Sequence, residues 1–370
     1  MKLLVFISSM STGGAERVCS HLVNHWAERG WDITVVTLFG TDRDSYALHP
    51  SIRRVAFDLG HESGNLLKAF GNSWMRLRAL IRVLRDVRPD IALSFMDRSN
   101  VLLALAAEFC VSIGSERSHP PQEPRHWIWD KLRRRLYSRL DAVVSLTEMS
   151  ASWLREHTNA RRVLVIPNPV VWPMPIHAPV IEPPVKKKLR LLAVGRLVPL
   201  KQFDLLIEVF SQIASGCPQW ELQIIGDGPE MGRLRAIVAA TSCADRIHLP
   251  GQIGNLGDWY GSADLYVMTS KYEGFPNAVI EALAHGIPAI CFDCDTGPRD
   301  IIRPDVDGML VPSGCRTGLV AALVAVMSNS DLRSRLAARA EEARERFSIG
   351  LISSKWESLF REILAERQGS

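Results

Sequence analysis

The sequence predicts an α/β protein with two doubly wound, Rossmann-like parallel-sheet domains that face each other across a cleft. Short apolar runs alternate with amphipathic segments along the whole chain, which is the pattern of strand–helix–strand units. The pattern stops once, in a proline-rich stretch near the middle, and then restarts. The 370 residues agree with two domains, because single cores rarely grow beyond about 250–300 residues.

The first domain is predicted over residues 1–172. Its helices include Ala15–Arg29 and Leu66–Val87. Its apolar runs predict strands at Lys2–Ser8, Asp32–Leu38, Arg54–Asp58, Asp90–Phe95, Val111–Glu116, Asp141–Leu146 and Val163–Ile166.

Residues 173–188 are predicted to be a linker, because proline-rich composition cannot build a sheet. The second domain follows over 189–348, and a C-terminal helix at 349–370 is expected to cross back to the first domain. The strands predicted in the second domain are Leu189–Val194, Glu221–Ile225, Ile247–Leu249, Leu265–Thr269, Ala289–Phe292 and Met309–Val311. The helices predicted from residue 203 onward are Phe203–Ser215, Glu230–Ala240, Asn277–His285, Gly318–Ser328, Leu332–Arg346 and Ile352–Glu366.

The composition is that of a globular protein, with 47% hydrophobic and 23% charged residues. Disordered, collagen-like and membrane-bundle proteins are therefore excluded. No apolar segment reaches the roughly 18–20 residues of a membrane span, and the first apolar run is too short for a signal peptide. We therefore expect a cytoplasmic protein. Seven scattered cysteines indicate reduced thiols, and a net charge of +4 does not by itself indicate nucleic-acid binding.

The first predicted strand leads into Gly13 and Gly14 at the start of a helix. Glycines at a strand–helix turn allow a ligand close to the backbone, and the helix N-terminus favours negative charge. The spacing is not the G-x-G-x-x-G of dinucleotide-binding proteins. A tight turn without a ligand is the alternative interpretation.

Two cations follow the first strand of the second domain. Arg196 comes directly after Gly195, and Lys201 lies five residues further on. Cations at the carboxyl end of a strand can converge on one anion, and a diphosphate leaving group needs such neutralisation. The alternative is a solvated basic loop.

The most informative pattern spans residues 271–281. A strand precedes it, and a helix should start at Pro276 or Asn277. Glu273 then lies before the helix and Glu281 in its second turn. The two carboxylates can therefore bracket a helix N-terminus that binds phosphate, which suits a nucleotide-sugar. An ordinary capped helix with two solvated glutamates is the alternative.

Five motifs, taken in order, resemble those of the family 4 retaining glycosyltransferases, which have the GT-B fold. The likeness is to the bacterial surface-polysaccharide and lipid-linked-glycan subgroup, and it spans nearly the whole chain. The motifs are Gly13-Gly14-Ala15-Glu16-Arg17, Gly195-Arg196 with Lys201, Gly226-Asp227-Gly228-Pro229-Glu230, Glu273 to Glu281 with an embedded Gly-Phe-Pro-Asn, and Gly297-Pro298-Arg299-Asp300-Ile301-Ile302.

The resemblance implies roles for the matching residues. Arg196 and Lys201 would hold the donor diphosphate. Glu273 would contact the transferred sugar, and Glu281 would bind the ribose hydroxyls. Main-chain groups of one turn would bind phosphate or sugar oxygens, and that turn consists of Phe275, Pro276, Asn277, Ala278 and Val279.

Further roles follow from the same resemblance. Gly13 and Gly14 would let the first domain's loop close over the donor, and the loop from Gly251 to Ile253 would lie near the base. Family members need no divalent metal, so no metal or other cofactor is expected.

The implied reaction moves a hexose or N-acetylhexosamine, with retention, from a nucleotide-sugar to a lipid-linked or polysaccharide glycan. UDP is the expected nucleotide. No carboxylate stands out as a covalent nucleophile, so a front-face route assisted by the leaving phosphate is expected, with catalysis by positioning and electrostatics. A sugar-nucleotide epimerase and a non-catalytic sugar-nucleotide-binding protein remain alternatives, whereas a nicotinamide-dependent dehydrogenase is disfavoured by the missing glycine motif.

The segment from Ser115 to Pro120 resembles a Ser-Glu-Arg-Asn-Asp/Glu-Pro segment of the polysaccharide subgroup. Many other family members place a functional histidine at the equivalent strand end. Here His119 lies a few residues later, so either His119 or Glu116 is a candidate for substrate contact.

Residues 125–139 carry six cations and one carboxylate, with aromatic residues interleaved. This composition suits an anionic bilayer surface or a lipid pyrophosphate, and a solvated basic helix is the alternative. We expect the first domain to dock peripherally on the inner membrane face. The candidate acceptor or membrane residues are Arg125, Trp127, Trp129, Lys131, Arg133, Arg134 and Arg135.

Overall fold

The computed structural model describes residues 1–60, 66–122 and 127–368. The chain forms two compact units, one from Met1–Pro169 with Ile349–Ser370 and the other from Val170–Ser348. Each unit contains one entirely parallel sheet with helices packed on it. The predicted class of two parallel-sheet α/β domains is therefore confirmed.

The first unit has a seven-stranded sheet. Its strands are β1 (Lys2–Ile7), β2 (Asp32–Thr37), β3 (Arg53–Ala56), β4 (Ile91–Phe95), β5 (Val111–Ser115), β6 (Ala142–Ser145) and β7 (Val163–Val165). Its helices are α1 (Gly14–Glu28), α2 (Leu66–Val87), α3 (Asp97–Leu105), α4 (Trp127–Leu136), α5 (Glu148–His157) and, from the chain's end, α14 (Ile349–Gln368). The strand order is β3-β2-β1-β4-β5-β6-β7.

The central strand β1 is buried on both faces, since Leu3 to Ile7 have no exposed surface. This explains why the strands appear in the sequence as continuous apolar runs rather than as alternating patterns. The last helix, α14, packs on the same sheet. Its Phe360 ring lies 5.7 Å from that of Trp26, and its Glu357 carboxylate lies 2.7 Å from Arg29 Nη1.

The second unit has a six-stranded sheet. Its strands are β8 (Leu189–Val194), β9 (Trp220–Ile225), β10 (Ile247–Gly251), β11 (Leu265–Met268), β12 (Ala289–Asp293) and β13 (Gly308–Pro312), in the order β10-β9-β8-β11-β12-β13. Its helices are α6 (Phe203–Ile213), α7 (Met231–Ala239), α8 (Leu256–Gly261), α9 (Asn277–Ala284), α10 (Pro298–Ile301), α11 (Arg316–Ser328), α12 (Ser330–Ala340) and α13 (Ala343–Arg346).

One predicted helix, Leu332–Arg346, is wrong because the structure divides it into α12 and α13. The intervening turn contains Glu342, whose carboxylate accepts hydrogen bonds from Arg303 at 2.5 Å and from Arg339. Because Arg303 is distant in sequence, tertiary contacts accompany this break between α12 and α13. The local hydrophobic pattern does not show the break.

The proline-rich stretch contains no helix, yet it is bonded to the second unit. His177 N donates to Gly254 O at 3.1 Å, and Gly254 N donates to Pro179 O at 2.7 Å. Ile181 N donates to Asn255 Oδ1 at 2.9 Å. These bonds fix the stretch beside the N-terminus of α8.

Across the described ranges, no helix combines the length and apolar character that crossing a bilayer requires.

Candidate active site

The strand order of the second unit predicts a ligand site. Strands β8 and β11 are neighbours, and the chain proceeds outward from them in opposite directions. Open parallel sheets bind ligands beyond the carboxyl ends of the strands at such a switch point. The loops that carry Arg196, Lys201 and Glu273 leave from these two strand ends.

Lys201 and Glu273 form an ion pair at this point. Lys201 Nζ lies 2.5 Å from Glu273 Oε1, and Ser270 Oγ donates to the same oxygen at 2.7 Å. The side chains are only 21% and 13% exposed. Lys271 N also donates to Leu200 O at 3.0 Å, which ties the two loops together. The structure therefore brings together two residues that lie 72 positions apart in the sequence.

Arg196 follows β8 and is exposed. Its loop lies against the next one, because Gly226 has a φ of +140° and a Cβ there would lie 1.9 Å from Gly195 O. Leu197 N donates to Asp227 O at 2.9 Å. This packing holds the backbone that presents Arg196.

Helix α9 begins at Asn277, after Pro276, as the sequence predicts. Glu273 precedes it and Glu281 lies in its second turn. The loop before α9 is braced by a neighbouring segment, since Thr296 Oγ1 donates to Glu273 O and a Cβ on Gly297 would lie 2.6 Å from Pro276 Cδ. The N-terminal turn of α9 therefore presents the positive end of the helix dipole, which favours an anion.

Within this turn, Phe275, Pro276 and Val279 are buried, whereas Asn277 and Ala278 are partly exposed. Asn277 and Ala278 are therefore the members of this turn that solvent reaches.

Glu281 is 6% exposed, and its Oε2 accepts a hydrogen bond from Tyr260 Oη at 3.1 Å. Tyr260 belongs to α8, and the sequence analysis missed it because it lies in none of the motifs. Ser270 beside Glu273 was missed for the same reason.

The two residues expected near the base lie at the edge of the same sheet. Gly251 ends β10, and its carbonyl oxygen accepts a hydrogen bond from Gly226 N at 2.9 Å. Ile253 is buried in the following loop. Both therefore follow the carboxyl end of a strand, as Arg196 and Glu273 do.

In the first unit, Gly13 precedes α1 and Gly14 begins it. Glu16 bends back to this helix end, where its Oε2 would lie 2.0 Å from a Cβ on Gly13. Ser9 Oγ donates to Glu16 Oε1 at 3.3 Å. Burial raises the pKa of the Glu16 carboxyl above its ordinary value.

Glu116 and His119 are both buried, at 1% and 6% exposure. The Glu116 carboxylate accepts a hydrogen bond from Tyr137 Oη and lies 3.9 Å from Arg133 Nη1. Burial, followed by the charge of Glu116, raises the pKa of Tyr137 well above its ordinary range. His119 Nδ1 lies 2.9 Å from Ser150 Oγ. These contacts indicate that Glu116 holds the interior of the first unit together.

The basic segment is only partly a surface patch. Trp127 is 66% exposed, and Lys131, Arg134 and Arg135 are also exposed. Trp129 is half-buried, and the Arg98 guanidinium lies 5.6 Å from its ring centre. Arg125 lies outside the described residues.

The prediction that Arg133 belongs to this patch is wrong. Its side chain is 6% exposed, donates to Asp130 at 2.7 Å and approaches Glu116. Its guanidinium also lies 4.9 Å from the ring centre of Trp153. The sequence contains a signal for this, because Arg133 shares a helical face with Trp129, Leu132 and Leu136.

Helix α2 contributes two exposed apolar side chains that the sequence analysis missed. Trp74 is 60% and Met75 is 48% exposed. Helix α3 contacts both α2 and α4.

No group of three histidine, cysteine or acidic side chains that could bind a metal ion occurs in the described part of the chain.

Two family models match consecutive parts of the chain. The model described as Glycosyltransferase Family 4 matches residues 12–171, and the model described as Glycosyl transferases group 1 matches residues 178–343. The first match ends just before the proline-rich stretch and the second begins within it.

Curated relatives include three bacterial proteins of surface-glycan synthesis. An exopolysaccharide phosphotransferase of Streptomyces coelicolor is 31% identical over 77% of this chain, which spans only 30% of that protein. The amylovoran biosynthesis glycosyltransferase AmsD of Erwinia amylovora is 27% identical over 97% of this chain and 99% of its own. A Campylobacter jejuni α-1,4-N-acetyl-D-galactosaminyltransferase, named for a diNAcBac-PP-undecaprenol-linked GalNAc disaccharide, is 24% identical over 98% of this chain and 99% of its own.

Solved structures share the fold. Sucrose-phosphate synthase from Thermosynechococcus elongatus matches with a TM-score of 0.82 at 19% identity, over 99% of this chain and 100% of that chain. HepE of Anabaena in complex with UDP matches with a TM-score of 0.75 at 16% identity, over 98% and 100%. Since both halves of the chain match glycosyltransferase models in sequence and these structures share its GT-B fold, the chain belongs to glycosyltransferase family 4.

Proposed function

We propose that this chain is a retaining glycosyltransferase that moves a hexose or N-acetylhexosamine from a UDP-sugar to a lipid-linked or polysaccharide glycan. The observation that carries the proposal is the Lys201–Glu273 ion pair at the switch point of the second sheet, in front of the N-terminus of α9. A cation, a carboxylate and a helix N-terminus are the groups that a sugar diphosphate needs.

In the proposed reaction, Arg196 and Lys201 neutralise the departing diphosphate, and N–H groups at the start of α9 bind its oxygens. Glu281 binds the ribose hydroxyls. Two protein cations supply the leaving-group electrostatics that a divalent metal provides in other enzymes, so the reaction proceeds without a metal.

Glu273 orients the transferred sugar rather than attacking it. Its Oε1 already accepts bonds from Lys201 and Ser270, and such bonds lower the nucleophilicity of a carboxylate. The acceptor hydroxyl therefore attacks on the face from which the diphosphate leaves and transfers its proton to a phosphate oxygen. The configuration at the anomeric carbon is retained.

Two relatives support the substrate classes. HepE was solved with UDP, and the Campylobacter enzyme is named for an undecaprenyl-diphosphate-linked acceptor. Uracil as the donor's base and an isoprenoid diphosphate as the acceptor's anchor are the corresponding choices for this chain.

A panel of nucleotide-sugars with lipid-pyrophosphate-linked sugar acceptors tests the proposal. We expect UDP release that depends on the acceptor and that EDTA does not reduce. The new glycosidic bond should have the same anomeric configuration, axial or equatorial, as the sugar–phosphate bond of the donor. Glu273→Gln should lower kcat by about 100-fold or more. The control Glu345→Gln removes an exposed carboxylate of the same unit and should leave kcat unchanged.

Three outcomes would contradict it. A new sugar epimer formed without acceptor would identify an epimerase. Donor binding without turnover, with Glu273→Gln changing only affinity, would identify a binding protein. An inverted product would exclude the retaining mechanism.

The acceptor's lipid anchor places the reaction at a membrane surface. The exposed residues of α4 are suited to it, because Trp127 offers an amphipathic ring and Lys131, Arg134 and Arg135 offer positive charge. Trp74 on α2 adds a second exposed indole. We assign the inner membrane face as the location.

Vesicles containing phosphatidylglycerol test this assignment at low salt. Reversing the charges of Arg134 and Arg135 to Glu should lower retention at least tenfold, since each basic residue near such a surface contributes about 1 kcal/mol. Reversal of Lys355 and Arg361, exposed on α14, is the control. Equal retention of both double variants would refute the assignment.

A further inference from the structure

Glu281 is a nearly buried carboxylate that has a tyrosine hydroxyl beside it. Tyr260 has no exposed surface, and its Oη lies 3.1 Å from Glu281 Oε2 and 3.3 Å from Ala278 O. A hydroxyl has one proton, so it donates to one acceptor at a time. The carboxylate is the nearer and the charged acceptor, which makes it the stronger partner.

The tyrosine ring is itself held by packing. The His285 ring stacks on it with centroids 5.1 Å apart, and Trp172 meets His285 edge-on at 4.3 Å. The Arg344 guanidinium covers Trp172 at 3.9 Å. His285 Nδ1 also lies 2.7 Å from Glu281 O, so the same histidine contacts the glutamate's main chain and the tyrosine's ring.

The helix that carries Tyr260 is fixed at both ends of its first turn. Asn255 Nδ2 donates to Asp258 Oδ2 at 2.8 Å, and Asn255 Oδ1 accepts from Ile181 N at 2.9 Å. Trp259 Nε1 donates to Ile181 O at 2.7 Å. The proline-rich stretch therefore clamps α8 and leaves the tyrosine hydroxyl little freedom to move.

We infer that Tyr260 is a positioning residue that orients the Glu281 carboxylate toward the donor's ribose hydroxyls. The inference rests on the proposed role of Glu281 and extends it to a residue outside the motifs. With Oε2 held by Tyr260, the carboxylate rotates less and loses less freedom when it accepts bonds from the ribose. Because the proline-rich stretch holds α8 in place, it also restricts the position of Tyr260 beside Glu281.

The test compares two ligands that differ only in the ribose hydroxyls, UDP and 2′,3′-dideoxyuridine diphosphate. Their dissociation constants are measured by calorimetry for the wild type, Tyr260→Phe, Glu281→Gln and Tyr266→Phe. Tyr266 is the matched control, because it is also buried and its Oη donates to a main-chain oxygen, Val194 O, at 3.4 Å. Thermal unfolding of each variant checks that it folds.

In the wild type, loss of the hydroxyls should weaken binding about tenfold or more. Tyr260→Phe should reduce this ratio by about threefold to tenfold by weakening UDP binding alone, and Tyr266→Phe should leave the ratio unchanged within about twofold. Equal weakening of both ligands by Tyr260→Phe would mean a merely structural tyrosine and would overturn the inference. An unchanged ratio in Glu281→Gln would instead refute the ribose role of Glu281, which belongs to the proposed function.

Discussion

Replacing Lys201 by Met provides the sharpest test of the site's electrostatics, because it needs no knowledge of the substrate. The variant keeps most of the side chain's length and removes its charge. Glu273 then remains 13% exposed without the Lys201 cation, and Ser270 still donates to it. The reverse change, Glu273→Gln, removes the other charge and keeps a side chain of similar shape.

The magnitude follows from burial. Exposed ion pairs contribute about 0.2–1 kcal/mol, whereas removing one partner of a buried pair costs about 3–5 kcal/mol. Both side chains of this pair are mostly but not fully buried, so Lys201→Met should cost about 2 kcal/mol and Glu273→Gln about 1 kcal/mol. The double variant should cost about 1.5 kcal/mol, which is less than the sum because no unpaired charge remains.

Hydrogen exchange along a urea titration measures this cycle locally. A global unfolding curve would mix the two units, which need not unfold together. Peptides from β8 and β11 report the opening free energy at the ion pair, and peptides from β1 serve as an internal reference that should not change. A coupling energy below about 0.5 kcal/mol would refute the reasoning, because the two charges would then act independently.

Three further predictions concern single residues, one in the second unit and two in the first. In the same hydrogen-exchange measurement, Gly226→Ala should lower the opening free energy of β8 and β9 peptides by about 3 kcal/mol or more, because its Cβ would lie 1.9 Å from a backbone oxygen. Gly216→Ala, with no atom within 4 Å of the added Cβ, should change it by less than about 1 kcal/mol. Arg133→Met should cost about 2–3 kcal/mol because it removes a buried cation 3.9 Å from Glu116 together with its bond to Asp130, and Arg134→Met on the exposed face should cost less than about 0.5 kcal/mol; equal costs would show that Arg133 is not anchored. Burial raises the pKa of Glu16, so this group contributes most to stability below its unfolded pKa, and the contribution is lost as pH rises through its folded pKa. The glutamine of Glu16→Gln does not titrate. The melting temperature of this variant minus that of the wild type should therefore increase between about pH 4 and pH 7, and a constant difference would contradict this.

The second sheet shows what the sequence can predict. Its strands are apolar runs because both faces are covered, and the order in which such runs alternate with helices fixes a parallel sheet. Once the sheet is parallel, the loops after β8 and β11 must leave from the same edge. The proximity of Lys201 to Glu273 is therefore accessible from sequence, although their direct ion pair is not.

The contacts that were missed depend on packing between elements. By its charge, Arg133 belongs to a basic segment, whereas by its position it lies on the inner face of α4. Its proximity to the buried Glu116 shows that the side chain points inward. Tyr260 lies in a short helix of six residues with no motif of its own. Tyr260 was singled out because it contacts Glu281, which lies 21 positions later, and because the proline-rich stretch bonds to α8. No composition rule predicts those hydrogen bonds.

The two carboxylates of the candidate site are held by different chemistry, and this difference fits their proposed roles. Glu273 is held by Lys201, which in the proposed reaction also binds the donor diphosphate, so donor binding would change the surroundings of Glu273. An ammonium group has three N–H donors, and Lys201 can therefore bind the diphosphate while keeping one bond to Glu273. In the proposed reaction this makes Lys201 a bridge that fixes the sugar-binding carboxylate relative to the leaving group. Glu281 is held instead by the neutral hydroxyl of Tyr260, so in the proposed reaction the diphosphate would not change its orientation. In this proposal, the fixed carboxylate of Glu281 recognises the ribose, which does not react. The carboxylate of Glu273 contacts the reacting sugar and is coupled to the leaving group through Lys201. Donor recognition is thereby separated from the step at which charge develops.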